Sequence, residues 1–167
     1  MSIDTIDAPN AGGEVETTAN KKTKITITAT GNPPTFQMKS QFENGGGNQT
    51  GSKLNFDQAA GAFTLTFELV DHSGLGLEFY ADPTQALWVS SNSTYPTQAG
   101  NGGGAITFAP IKNGKLIVDN ANHVAADLAF IVRFNSLQAN ATPPYIYDPV
   151  IGNGGTGKTE DDDKDCD

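Results

Sequence analysis

At 167 residues, with one cysteine and a formal net charge of −9, the chain has the length of a single domain with a sizeable core and cannot form an intrachain disulfide. The charge sits at the ends. Residues 1–20 hold four acids and no base, and residues 158–167 hold six acids against Lys158 and Lys164, so the stretch between them is nearly neutral. A lone Arg133 among scattered lysines excludes nucleic acid and anionic membrane surfaces as partners, because phosphate binding needs clustered cations.

Residues 1–21 show no periodicity and read as a flexible acidic arm that helps keep a neutral body in solution. They lack the basic start and apolar stretch of a secretory signal, which makes the cytoplasm the default location and leaves a signal-independent export route open. No apolar run reaches the roughly 18 residues of a membrane span.

From Thr23 the pattern becomes strict alternation, with Ile25 and Ile27 set between Lys24, Thr26 and Thr28, as in a half-buried strand. Asn32-Pro33-Pro34 ends it, since proline donates no ladder bond and restricts the residue before it. Phe36 and Met38 alternate next, and Gly45-Gly46-Gly47-Asn48 reads as a loop. Leu54 and Phe56 make a short strand. Phe63, Leu65, Phe67 and Leu69 then share one face of the best strand in the chain, which belongs at the centre of the core.

Leu75, Leu77 and Phe79 follow the His72-Ser73-Gly74 turn, and Leu87-Trp88-Val89 is a short apolar strand with Trp88 as a core anchor. Ile106, Phe108 and Ile111 lead to Asn113-Gly114, a dipeptide suited to the two positive φ angles of a type I′ hairpin turn. Leu116 and Val118 return from it. The run Leu-Ala-Phe-Ile-Val-Arg-Phe at 128–134 is apolar enough to be buried on both faces, and a last strand is expected over 145–151. Helix is limited to single turns at 57–62 or 120–126.

Nine or so short strands separated by Gly, Asn and Pro clusters predict an all-β fold. The expected form is a single antiparallel β-sandwich over 22–154, Ig-like or a related Greek key, followed by a disordered acidic tail over 155–167.

One chemical signature stands out and fails. Residues 152–159 match the phosphate-loop pattern G-x-x-x-x-G-K-[ST] through Gly152, Gly157, Lys158 and Thr159. A phosphate loop needs a following helix whose N–H groups hold the anion, and here only carboxylates follow. The match is read as a decoy, and no cofactor is expected.

For metals, His72 and His123 are the only histidines and Cys166 lies in the acidic tail, too sparse a set for copper or zinc. Calcium is the alternative. Asp119, Asn120, Asn122 and Asp127 form an oxygen-rich stretch between two strands, of the kind that bridges Ca²⁺ to a sugar in some sandwiches, although two carboxylates are few and Asp and Asn also shape turns unaided. No G-x-S-x-G elbow occurs, and Asp71 and His72, being adjacent, point to opposite faces of a strand. The tyrosines Tyr80, Tyr95, Tyr145 and Tyr147 lie at strand ends or loops, where they could form a sugar- or peptide-binding strip or simply pack at the rim.

A glycine-rich approach to Trp88, the strand Leu116-Ile117-Val118-Asp119-Asn120, the 128–134 strand and the closing Asp148-Pro149-Val150-Ile151-Gly152-Asn153-Gly154 together resemble the DP-EP family of small uncharacterised bacterial β-proteins. That resemblance implies an all-β fold and carries over no catalytic residue. The expected function is therefore non-enzymatic, acting by protein binding or self-association, with calcium-dependent carbohydrate binding as the alternative.

Overall fold

A computed structural model describes residues 20–123 and 125–153 of the chain. Twelve strands are found among them: β1 (Lys21–Thr30), β2 (Thr35–Phe42), β3 (Gly47–Thr50), β4 (Lys53–Phe56), β5 (Phe63–His72), β6 (Leu77–Phe79), β7 (Leu87–Val89), β8 (Ile106–Phe108), β9 (Leu116–Asn120), β10 (Ala126–Ser136), β11 (Tyr145–Tyr147) and β12 (Val150–Asn153). Gly45-Gly46-Gly47-Asn48, expected as a loop, gives its second half to β3. Gly47 packs so closely on the Phe42 ring and the Asn55 carbonyl that a side chain there would displace both.

The strands form two sheets. One has the order β2-β1-β5-β9-β8; in the other β10 pairs with β11 and β12 along one edge and with β6 and β7 along the opposite edge, and β12 leads on to β4 and β3. The expected antiparallel arrangement is corrected here, because both sheets are mixed: β1 runs parallel to β5, and β12 parallel to β4. Parallel neighbours need a long crossover. Between β1 and β5 the crossover is not a helix but β2 followed by the β3–β4 hairpin, which belongs to the second sheet.

Alternation places the core. Ile25 and Ile27 of β1, Phe63, Leu65 and Phe67 of β5, and Leu116 and Val118 of β9 are fully buried. They share one apolar cluster with Leu54, Phe56, Phe130, Val132, Phe134 and Ile151 from the other sheet. Aromatic contacts tie the sheets together: Phe56 to Phe63 at 4.7 Å, Phe67 to Phe130 at 6.1 Å edge-on, and Phe36 stacked on Phe134 at 5.2 Å. Leu69, expected in the same seam, is only half-buried, where β5 runs past the end of β9.

Two single turns of helix occur among the described residues. Asp57 caps the short turn Gln58–Ala60 within the expected 57–62 segment. The other, α1 (Pro83–Ala86), was not expected, although Asp82 as N-cap and Pro83 in the first turn are its standard sequence signs. Over 120–126 no helix is described, since β9 runs through Asn120. Asn113 and Gly114 both adopt positive φ, as their hairpin turn requires.

The outer edge of β2 is closed by a side chain. The Gln49 carboxamide accepts from the Ser40 N–H at 2.7 Å and donates to the Met38 carbonyl at 2.8 Å, taking the place a peptide group of a neighbouring strand would occupy. β11 and β12 pair with β10 in one unbroken register, Tyr147 opposite Val132 and Val150 opposite Ala129, so they form a single line interrupted at Asp148-Pro149. In this register Pro149 stands opposite Phe130 and has no N–H to donate, so the ladder breaks there and resumes at Val150.

On the solvent face of the first sheet, Glu68 of β5 pairs with Lys24 at 2.8 Å and with Lys115 at 2.5 Å. Hydrogen bonds from Lys115 and then Lys24 hold its carboxyl below the usual glutamate range. A lowered folded value means this contribution is complete above the ordinary pKa of about 4.3 and is lost as pH falls through and below it. Urea titrations should show the native protein losing stability below about pH 4.3, and Glu68→Gln should flatten that acid limb while starting less stable at neutral pH.

Candidate functional site

After Val89 the sequence offers Pro96, four glycines and a run of Ser, Thr and Asn, which cannot continue a strand. The resulting loop over 90–105 is long but internally bonded. The Ser90 N–H still reaches the Ala129 carbonyl of β10, and the Ser90 hydroxyl lies 2.6 Å from the carbonyls of both Asn92 and Thr94, sharing its one hydrogen between them. Asn92 Oδ1 accepts from the Thr94 N–H at 3.0 Å, and Asn101 Oδ1 from the Gly104 N–H at 3.0 Å.

The returning limb docks on β7. The Val89 N–H donates to the Gly100 carbonyl and the Gly102 N–H to the Val89 carbonyl, each at 3.0 Å. A Cβ on Gly100 would stand 2.8 Å from that Val89 oxygen, so this close approach requires glycine.

Between the two limbs lies a cleft of about 320 Å³. Its lining is mixed and uncharged: Val89, Pro96 and Ala99 stand beside Asn92, Tyr95, Thr97, Gln98 and Asn101, which contribute hydroxyls, carboxamides and one aromatic ring, with no Asp, Glu, Lys, Arg, His or Cys. Tyr95 is 46% exposed. Among the described residues, the side chains of Tyr95, Thr97 and Gln98 and the amide nitrogens of Asn92 and Asn101 make no hydrogen bond within the protein, so their polar groups face the cleft or solvent. The cleft thus presents hydrogen-bonding groups without a charged side chain, a lining that can meet a neutral polar molecule. A second cleft, of about 360 Å³, lies among Leu69, Leu77, Phe79 and Ile111, with Glu78 as its one ionisable group.

Trp88, expected as a core anchor, faces the other way. Leu87 and Val89 are the core residues of β7, and Trp88 lies half-buried on the opposite face of the sheet. There the Arg133 guanidinium stacks 3.9 Å from the indole centroid and 5.1 Å from that of Tyr80. Arg133 Nη1 also donates to the Gln85 carbonyl at 2.9 Å, fastening the end of α1. The indole face is thus already covered by a cation and is no free platform. Of the four tyrosines, Tyr80, Tyr145 and Tyr147 pack against the core, and Tyr95 alone stands in a cleft, so the aromatic strip is not assembled.

The four oxygen-bearing residues considered for calcium are not brought to one point. Asp119 lies on the solvent face of the first sheet, where its Oδ1 accepts from the Thr64 hydroxyl at 2.5 Å and from Asn20 at 3.2 Å. Asp127 lies on the solvent face of the second sheet, paired with Lys53 at 3.1 Å. Asn120 is buried between the sheets in a reciprocal amide pair with Asn153, with bonds of 2.9 and 3.3 Å. Asn122 is also buried, and its amide donates to the carbonyls of Asp57 and Gly61 at 2.8 and 2.9 Å, closing the loop before β5. Among the described residues, no three His, Cys, Asp or Glu cluster in a way that could hold a metal ion.

Of the phosphate-loop pattern, Gly152 sits inside β12, opposite Asp127 and Asn55; Gly157, Lys158 and Thr159 lie outside the described residues, as do the acidic ends and Cys166. The ladder continues through Asn153, the last of the described residues. Among the described residues, no helix is long and apolar enough to cross a membrane. Neither a known family model nor any curated protein matches the chain.

These placements predict opposite costs for residues that look alike in sequence. Asn120→Ala leaves the buried Asn153 amide without its partner and should cost about 1–3 kcal/mol in urea titrations. Asp127→Ala breaks only an exposed ion pair and should cost no more than about 1 kcal/mol.

Proposed function

We propose that this is a non-enzymatic β-sandwich protein, Ig-like or of a related Greek-key order, that acts by binding at the 90–103 cleft. Two open sheets sharing one core support the sandwich, and the non-sequential neighbours β1–β5 and β12–β4 favour crossing connections over a simple meander. The observation that carries the binding reading is the cleft itself: an internally bonded loop presents unpaired neutral polar groups around an exposed tyrosine, with no titratable pair for catalysis. Self-association through the β2 edge is disfavoured, because Gln49 already occupies it.

An isotope-labelled sample of the full chain, titrated with a panel of neutral, anionic and cationic small molecules and followed by amide chemical shifts, tests this reading. Perturbations confined to residues 90–103, with the ligand recovered unchanged, are expected. A panel that leaves these residues unmoved, or that is chemically converted, sinks it. Sedimentation velocity on the same sample should show no concentration-dependent association, whereas Gln49→Ala, by uncovering the Ser40 and Met38 groups, should introduce it.

A further inference from the structure

We propose that the ligand of the 90–103 cleft is a neutral sugar, bound without calcium. This rests on the binding reading above and narrows it to one chemical class. Charge removes most alternatives. A phosphate or carboxylate would find no cation in the lining, and a metal or an amine would find no carboxylate. An extended peptide would need a free strand edge, and the edge of β7 is already taken by Gly100 and Gly102 through the Val89 bonds.

What remains must offer many uncharged groups that both donate and accept. The free groups here are of that kind: the Thr97 hydroxyl, the Gln98 carboxamide, and the Asn92 and Asn101 amide nitrogens as donors. The two asparagines are aimed by their own backbone bonds, since the Oδ1 of each is spent on a loop N–H and its Nδ2 is left over. The Tyr95 ring supplies the apolar surface against which the C–H face of a pyranose can lie, with its hydroxyl as a polar tip. At about 320 Å³ the cleft falls at the small end of ligand sites, which run from about 300 to 1,000 Å³, so it suits a terminal sugar unit better than a long chain.

The test is saturation-transfer NMR on the full chain in EDTA, with glucose, galactose, N-acetylglucosamine and cellobiose as probes at about 10 mM, well above a millimolar Kd. At least one sugar should receive saturation. Tyr95→Ala should weaken it at least about tenfold, with the amide spectrum outside the loop unchanged, and Asp127→Ala should leave it intact. A pull-down on insoluble cellulose and chitin separates the two sources, since retention there points to a polysaccharide end and its absence, with free sugars binding, to a soluble saccharide.

Silence from all four sugars overturns the sugar assignment, as does binding that Tyr95→Ala leaves untouched. If other neutral molecules still perturb residues 90–103, the sugar class falls and the binding reading stands; if nothing does, both fall.

Discussion

Strand β10 is the element on which the second sheet depends. Its eleven residues pair with β12 and β11 along one edge and with β7 and β6 along the other, so only β3 and β4 of that sheet do not touch it. Edge pairing alone does not bury both faces, since β1 and β5 are paired on both edges and still alternate, whereas in β10 residues Leu128 to Val132 are buried without interruption. Inward, Phe130 and Phe134 meet Phe67 and Phe36 of the first sheet. Outward, Ile131 lies opposite Trp88 and on the same face as Arg133. Truncation of such a buried phenylalanine typically costs about 3–5 kcal/mol, and in β10 it would loosen four pairings together.

The same strand explains two features that look unrelated. β6 and β7 both pair with it, but between Phe79 and Leu87 the chain makes an excursion that leaves Arg133 without a partner strand on that side. Arg133 fills the gap itself, stacking on Trp88 and Tyr80 and holding the end of α1. On the opposite edge, β11 and β12 are one line because they follow one register along β10, and that line is interrupted at Pro149, which has no N–H to give the ladder. Desolvation there holds the Asp148 carboxyl above its usual range, a small cost at neutral pH that is absent once the group is protonated in acid.

Function, in this reading, is carried by the part of the chain that escapes these ladders. The 90–105 loop is bonded to the sheets at its two ends, through Ser90 to β10 and through Gly100 and Gly102 to Val89, while its middle spends side-chain oxygens on its own backbone. A loop built this way loses little freedom on meeting a ligand, which favours binding by groups that are individually weak. Its neutrality matches the near-neutral body of the chain.

Alternation by itself determined the all-β class and most of the strands, because burial of one face imposes a period of two that can be read residue by residue, as in Phe63, Leu65 and Phe67. The Asn113-Gly114 turn was legible for the same local reason, both residues being tolerant of positive φ. Whatever depends on contacts between distant segments was not legible. Trp88 looks like a core residue in a three-residue apolar strand, and only the pairing of β7 with β10 decides that its neighbours face inward and Trp88 meets Arg133. Asp119, Asn120, Asn122 and Asp127 are close in sequence, yet Asn120 and Asn122 are drawn between the sheets by partners at Asn153, Asp57 and Gly61, while the two aspartates lie on opposite solvent faces. The parallel pairing of β1 with β5 leaves no local mark either, since a strand carries the same pattern whichever way its neighbour runs. Short-range periodicity is written in the chain, whereas the direction, partner and outward face of each strand are settled by packing across two sheets.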